Sequence, residues 1–218
     1  MSFAEQLKGL FYGAFVSLPM VLIAIVSFLG VTLGNLGLIM LSVGHIVIIP
    51  FLLFMVNILH EYFFPGSPYF TMTSSDLSYL VPMLATPGIT IVAAPSPWIA
   101  HVTFFFTFLF TNALILYLKD PSPSADPNKV ENRKAQTMTA MILTIVTFVL
   151  LFAIRVSLGN EPMIGAIFGG LLVVPVAYGW YELTRACGAR DADIFGILQK
   201  ILPPNAKDDP PMTCVYSP

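Results

Sequence analysis

The chain has 218 residues, 56% of them hydrophobic, 10% charged, with a net charge of -2. A soluble domain usually carries about 25% charged residues, so charge is too scarce here to cover a water-facing surface. There is no basic tract and no aromatic-interleaved basic patch, which argues against nucleic acid as a partner. The two cysteines, Cys187 and Cys214, define neither a disulfide framework nor a metal site.

No Asp, Glu, Lys or Arg occurs between Gly9 and His60, which is room for two membrane spans of about 20 residues each. The first is expected near Gly9–Leu29, with Pro19 inside it. It is longer than the core of a signal peptide and ends in "VTLGN" rather than a small-residue cleavage site, so it reads as retained. "GVTLGNLG" (Gly30–Gly37) reads as a tight turn, because Gly and Asn tolerate left-handed backbone. The second span is expected over Leu36–Leu59, kinked at Pro50. His60 and Glu61 close it, followed by the interfacial aromatics Tyr62, Phe63 and Phe64. "PGSPYFTMTSSD" (Pro65–Asp76) reads as a loop.

"LSYLVPMLATPGITIVAAPSPWIAH" (Leu77–His101) is apolar but broken by Pro and Gly. Its first part, Leu77–Ala94, is a candidate span, short and irregular, with a re-entrant segment as the alternative. Irregular backbone at membrane depth needs protein or water around it. Trp98–Leu118, Ala135–Ile154 and Met163–Leu183 are clear spans. "KDPSPSADPNKVENRK" reads as a polar loop, and Arg155 and Glu161 as an interfacial pair across a short turn. The fold class is therefore all-α: a polytopic transmembrane bundle of five or six spans within residues 1–185, followed by a tail, 186–218.

The ten Lys and Arg set the orientation. Four lie in the loop Lys119–Lys134 and four at or beyond Arg185. Two spans separate these groups, so both share one side, cytoplasmic by the positive-inside rule. A crossing by Leu77–Ala94 would bring Lys8 to that side as well, and charge bias favours it by that one residue. In the tail, Asp191–Leu202 places Ile194, Phe195, Leu198 and Ile201 on one helical face, capped by Asp191 and stopped by Pro203-Pro204. Such a segment lies in the membrane interface or on a partner.

Polar groups in the spans are few. His45 alone is ionisable near the centre of a span. Its expected state is a neutral imidazole bonded to a carbonyl or a Ser of a neighbouring helix. A proton relay would call for a carboxylate partner in another span, and none is visible. His60 and His101 stand near span ends, where exposure to the interface is expected. Thr103, Thr107 and Thr111 recur every four residues on one helix face, next to Asn112, and predict a helix–helix contact. A polar path along that face is the alternative. Gly165 and Gly169, in "GAIFG", permit close backbone approach. No catalytic, cofactor-binding or metal-ligating residue is predicted. Motifs of the phosphatidic-acid phosphatase type 2 family are matched only in spacing: Lys119 is followed by Asp126-Pro127 where Arg-Pro is needed. Arg155 is followed by Glu161 and Gly165 in place of His and Asp. The chain is thus at most a degenerate lipid-phosphatase-like protein.

"PSPWIAHVTFFFTFLFTNA", "KVENRKAQ", "YGWYELTRACGARDADIFGI" and "MTCVYSP" together resemble multi-pass membrane proteins of large nucleocytoplasmic DNA viruses. The phrases cover parts of Pro95–Pro218. The resemblance implies a virion inner membrane or an infected-cell membrane and carries over no functional residue. The expected function is a non-enzymatic, structural or scaffolding membrane protein, with a small transporter or channel as the rival. Its partners would be the lipid bilayer and proteins meeting loop 119–134 and the tail. No cofactor is expected.

Overall fold

The computed structural model describes residues 3–63, 71–72, 91–92, 96–121, 127–157 and 163–189. Within them the fold is an all-α bundle, apart from one two-residue antiparallel pairing of Thr71–Met72 with Ile91–Val92. Helix α1 is Phe3–Thr32; α2 is Leu36–Val43, continued through a π-turn, Gly44–Ile48, into α3, Ile49–Phe63. Then come α4 (Pro97–Leu118), α5 (Pro127–Ser157) and α6 (Met163–Ala186). Five helices among the described residues are long and apolar enough to cross a membrane. The chain is an integral, multi-pass membrane protein.

Local chemistry sets the boundaries. The α1–α2 turn is closed by Gly34 at φ 59° and by Asn35. The Asn35 side chain caps α2 by accepting from the Leu38 N–H at 3.1 Å, while its own N–H donates to Gly30 O at 2.9 Å. Residue 30 must be small, because a Cβ there would meet the Ile39 backbone nitrogen at 2.9 Å. Ser96 caps α4 by accepting from the Ile99 N–H at 3.1 Å, and Pro97 follows at the first helical position, where its missing N–H costs nothing. Helix α6 ends in a left-handed turn. Gly188, at φ 97°, donates to Arg185 O and Ala189 to Thr184 O, the double closure that satisfies the last carbonyls.

Pro50 does not act alone as a kink. It has no N–H for the carbonyl of Ile46, and its ring crowds that carbonyl. The turn just before it widens instead, with the Ile49 N–H reaching Gly44 O. Helix α5 begins at Pro127, so the second half of the expected polar loop is helix: Asn128–Lys134 prolong the span by two turns outside the apolar core. Arg133 ties this extension to the end of α4 by donating from Nη2 to Lys119 O at 2.5 Å.

Helix α4 is the hub. Sixty-one per cent of its apolar window is buried, against 6% for α5. Three sets of contacts fix the directions around it. Trp98 meets Arg155, Phe106 meets Phe148, and Lys119 meets Arg133, so α5 runs antiparallel to α4. Ala166 packs with Trp98, Ile99 and Val102, and Tyr181 meets Phe108 and Asn112, so α6 runs parallel to it. His45 meets His101, while Met40 is tied to Trp180, at the level of Phe108 and Asn112; α2 and α3 are therefore antiparallel to α4.

This arrangement has a topological consequence. The start of α1, the end of α3 and the starts of α4 and α6 share one end of the bundle. The α1–α2 turn, the α4–α5 connection and the end of α6 share the other. The chain leaves α3 and enters α4 at the same end. Lys8, in the first turns of α1, therefore stands opposite the basic loop rather than beside it. Leu77–Ala94 itself lies outside the described residues except for Ile91–Val92, which is extended. The tail helix Asp191–Leu202, with Ile194, Phe195, Leu198 and Ile201, lies wholly outside them. A Cys placed at Ser2 and the native Cys187, on a Cys214→Ser background, should label from opposite faces of a sealed membrane. Labelling from the same face would refute this helix order.

Candidate functional site

The interior polar groups gather on α4 and its neighbours. His45, in the π-turn, is 1% exposed and His101, one turn into α4, is 5% exposed. Their Nδ1 atoms stand 3.1 Å apart. His45 does not find the carbonyl or Ser expected of it; it finds a second imidazole. His101 is not at an exposed interface, because α4 starts below the end of α1: Trp98, one turn before His101, donates from its indole to Phe15 O at 3.2 Å. Around the pair stand the rings of Phe104 and Phe105, 5.0 and 6.1 Å from the His45 ring. The π-turn and Gly44 create this approach. A Cβ at residue 44 would fall 2.5 Å from Phe104 Cζ and 2.7 Å from Trp180 Nε1. One turn away, the Trp180 indole donates to Met40 O at 2.8 Å.

A second polar tie joins α4 to α6: the Asn112 amide donates to the Tyr181 hydroxyl at 2.8 Å, with both residues buried. A third feature is Arg155, 2% exposed, whose guanidinium lies 5.3 Å from the Trp98 ring centroid. That aromatic contact was not legible as the expected Arg155–Glu161 pair; Glu161 lies outside the described residues. Arg155 is a buried cation on an indole face, a geometry worth about 2 kcal/mol or more when desolvated.

The sequence-predicted packing residues are placed as follows. Gly165 and Gly169 are buried, on the face of α6 that continues through Ala166, Val173, Ala177, Tyr181 and Thr184 toward α4. Thr103 and Thr111 are buried and Thr107 is half-buried. Thr103 and Thr107 line a cleft of about 300 Å³ between α4, α5 and α6, with Phe106, Phe110, Thr144, Ile145, Phe148 and Val174. Its wall is apolar: Thr144 turns its hydroxyl back to Ala140 O at 2.6 Å, and the Thr103 hydroxyl is buried away from the opening, beside Gly170. Thr111 does not reach the cleft.

No group of three or more His, Cys, Asp or Glu side chains suited to a metal ion occurs among the described residues. Comparison with protein-family models, with curated proteins and with solved structures finds no match.

Two outcomes follow from this geometry. Gly44→Val should overpack the junction and destabilise the bundle by about 1–3 kcal/mol, read as a lowered midpoint in detergent or thermal unfolding; an unchanged midpoint would show that the three helices do not meet this closely. Asn112→Ala and Tyr181→Phe, combined in a double-mutant cycle, should couple by about 0.6 kcal/mol, the usual size for a hydrogen bond between membrane helices.

Proposed function

We propose that the chain is a non-enzymatic structural or scaffolding protein of a membrane, its basic end cytoplasmic. One observation carries this reading: four polar contacts of the interior tie helices together. His45 binds His101, Asn112 binds Tyr181, Trp180 binds Met40 O, Trp98 binds Phe15 O. Each tie joins two different helices, and the cleft beside Thr103 has an apolar lining. Such ties support a shape-holding role. Eight of the ten Lys and Arg belong to the end that carries the α4–α5 connection and the tail, which supports the cytoplasmic assignment of that end. Those segments present the polar surface for protein partners. The resemblance of the C-terminal half supports a viral or virus-modified membrane.

The rival reading is a small transporter. The paired histidines favour it, because ionisable groups at membrane depth mark solute or proton pathways and π-turns recur at functional sites. Flux separates the two. Pure protein in liposomes should pass protons, potassium and chloride no faster than empty liposomes do. Flux that is lost in His45→Ala would replace the structural reading with the transporter.

A further inference from the structure

We propose that the cleft between α4, α5 and α6 binds one acyl chain of a membrane lipid. Its lining grades from inside to outside. Thr103 and Thr144 are buried, the rings of Phe106, Phe110 and Phe148 are half-buried, and Ile145 and Val174 are 50% and 43% exposed. The cleft therefore has a closed floor and an open rim. Its volume is about 300 Å³.

The wall decides the class of ligand. It carries no charged side chain. A water molecule in such a space needs two to four polar partners. Thr144 gives its hydroxyl to Ala140 O, and the Thr103 hydroxyl lies on the Gly170 side. Thr107 alone is left, which is too few, so the occupant is apolar. Size narrows it further. A cavity of about 150 Å³ holds benzene, so a space about twice as large takes roughly twelve carbon atoms. That is part of a single acyl chain; a fused sterol ring system is larger.

Continuity with the outer surface supplies the source. Ile145 lies between Ile142 and Val149 on one face of α5, and Val174 between Leu171 and Tyr178 on one face of α6, at spacings of three and four residues. All six are exposed. These faces belong to spans, so the medium at the rim is hydrocarbon, and a flexible chain enters from it without crossing a polar barrier. Once inside, the chain touches α4, α5 and α6 together. Helices α5 and α6 each pack on α4, and the cleft lies between them. An empty space leaves its lining without dispersion partners, and a methylene chain restores them. The chain acts as a wedge that steadies α5, the least buried of the five spans.

The test uses the full-length chain in phosphatidylcholine bilayers that contain a trace of phosphatidylcholine with a mid-chain diazirine. After irradiation, labelled residues are mapped by mass spectrometry. Labels are expected on Thr107, Phe110 and Phe148 as well as on the outward Leu143 and Val149. Val174→Trp fills the rim from α6. It should abolish the labels inside the cleft and leave those on Leu143 and Val149. Ile145→Trp fills the rim from α5, with the same expectation, should the first variant fail to fold. A diazirine sterol should label Leu143 and Val149 but not Thr107. Labels confined to the outward residues would show the cleft closed or filled by protein and would overturn the proposal. So would cleft labels that persist in a folded Trp variant, sterol labels on Thr107, or labelling of Thr107 by a water-soluble diazirine. Should neither Trp variant fold, the lipid, sterol and water-soluble maps of the parent chain still decide it.

Discussion

Helix packing in this molecule turns on the absence of a side chain at residue 44. Any Cβ there would occupy the space of the Phe104 and Trp180 rings. With none, the second span, α4 and α6 meet at one point. Lipid supplies no hydrophobic force between helices, so close packing and interhelical bonds must hold them. The contacts that follow from this approach are of that kind. Trp180 reaches Met40 O, His45 reaches His101, and Tyr181 stacks edge-on to Phe108, 5.1 Å between centroids, while holding Asn112.

The outer surface obeys the opposite rule. Ile142, Leu143, Val146, Val149 and Leu150 on α5 are all more than half exposed, and Phe28, Phe51 and Phe54 on the second side of the bundle likewise. In water such a surface would be an aggregation site; in hydrocarbon it is the solvated face. Helix α5 touches the bundle along one seam against α4, where Phe106, Phe148 and Phe152 interleave. That seam ends at Arg155, whose guanidinium lies over the Trp98 ring. The cleft beside Thr103 and Thr144 is the place where the seam is incompletely filled.

Much of the architecture is legible in the residues, because span length and charge scarcity are strong signals. Spacing puts Thr103, Thr107 and Thr111 on one packing face and the GAIFG pattern puts Gly165 and Gly169 on another; all are buried except Thr107, which is half-buried. What failed was whatever depended on how deep one helix starts relative to another. His101 stands four residues past Pro97, so it reads as interfacial; only the contact of Trp98 with Phe15, in the middle of α1, puts it in the interior. The side on which α4 begins was equally hidden. Counting charges gave Lys8 to the basic side by a margin of one residue, and a margin of one is too thin to outweigh the antiparallel contacts of Met40 and His45. The extension of α5 to Pro127 was missed for a different reason: its first two turns are polar all round, and hydrophobic period cannot detect a helix that has left the membrane.

Pro50, Gly44 and His45 belong to one device. A proline in a span leaves the carbonyl four residues earlier without its donor, and the chain must answer within the helix. Here the answer is one widened turn from Gly44 to Ile48. Widening adds a residue to the turn, which re-aims the side chains on it relative to a regular helix. His45 lies in that turn, and Gly44 beside it lets the turn approach α4. Replacing Pro50 by Leu would remove the need for the wide turn, and a regular helix would rotate His45 away from His101 while leaving composition and length of the span unchanged. The histidine contact is therefore encoded less by the histidines than by the proline five residues downstream, which makes room for the geometry in which two imidazoles meet.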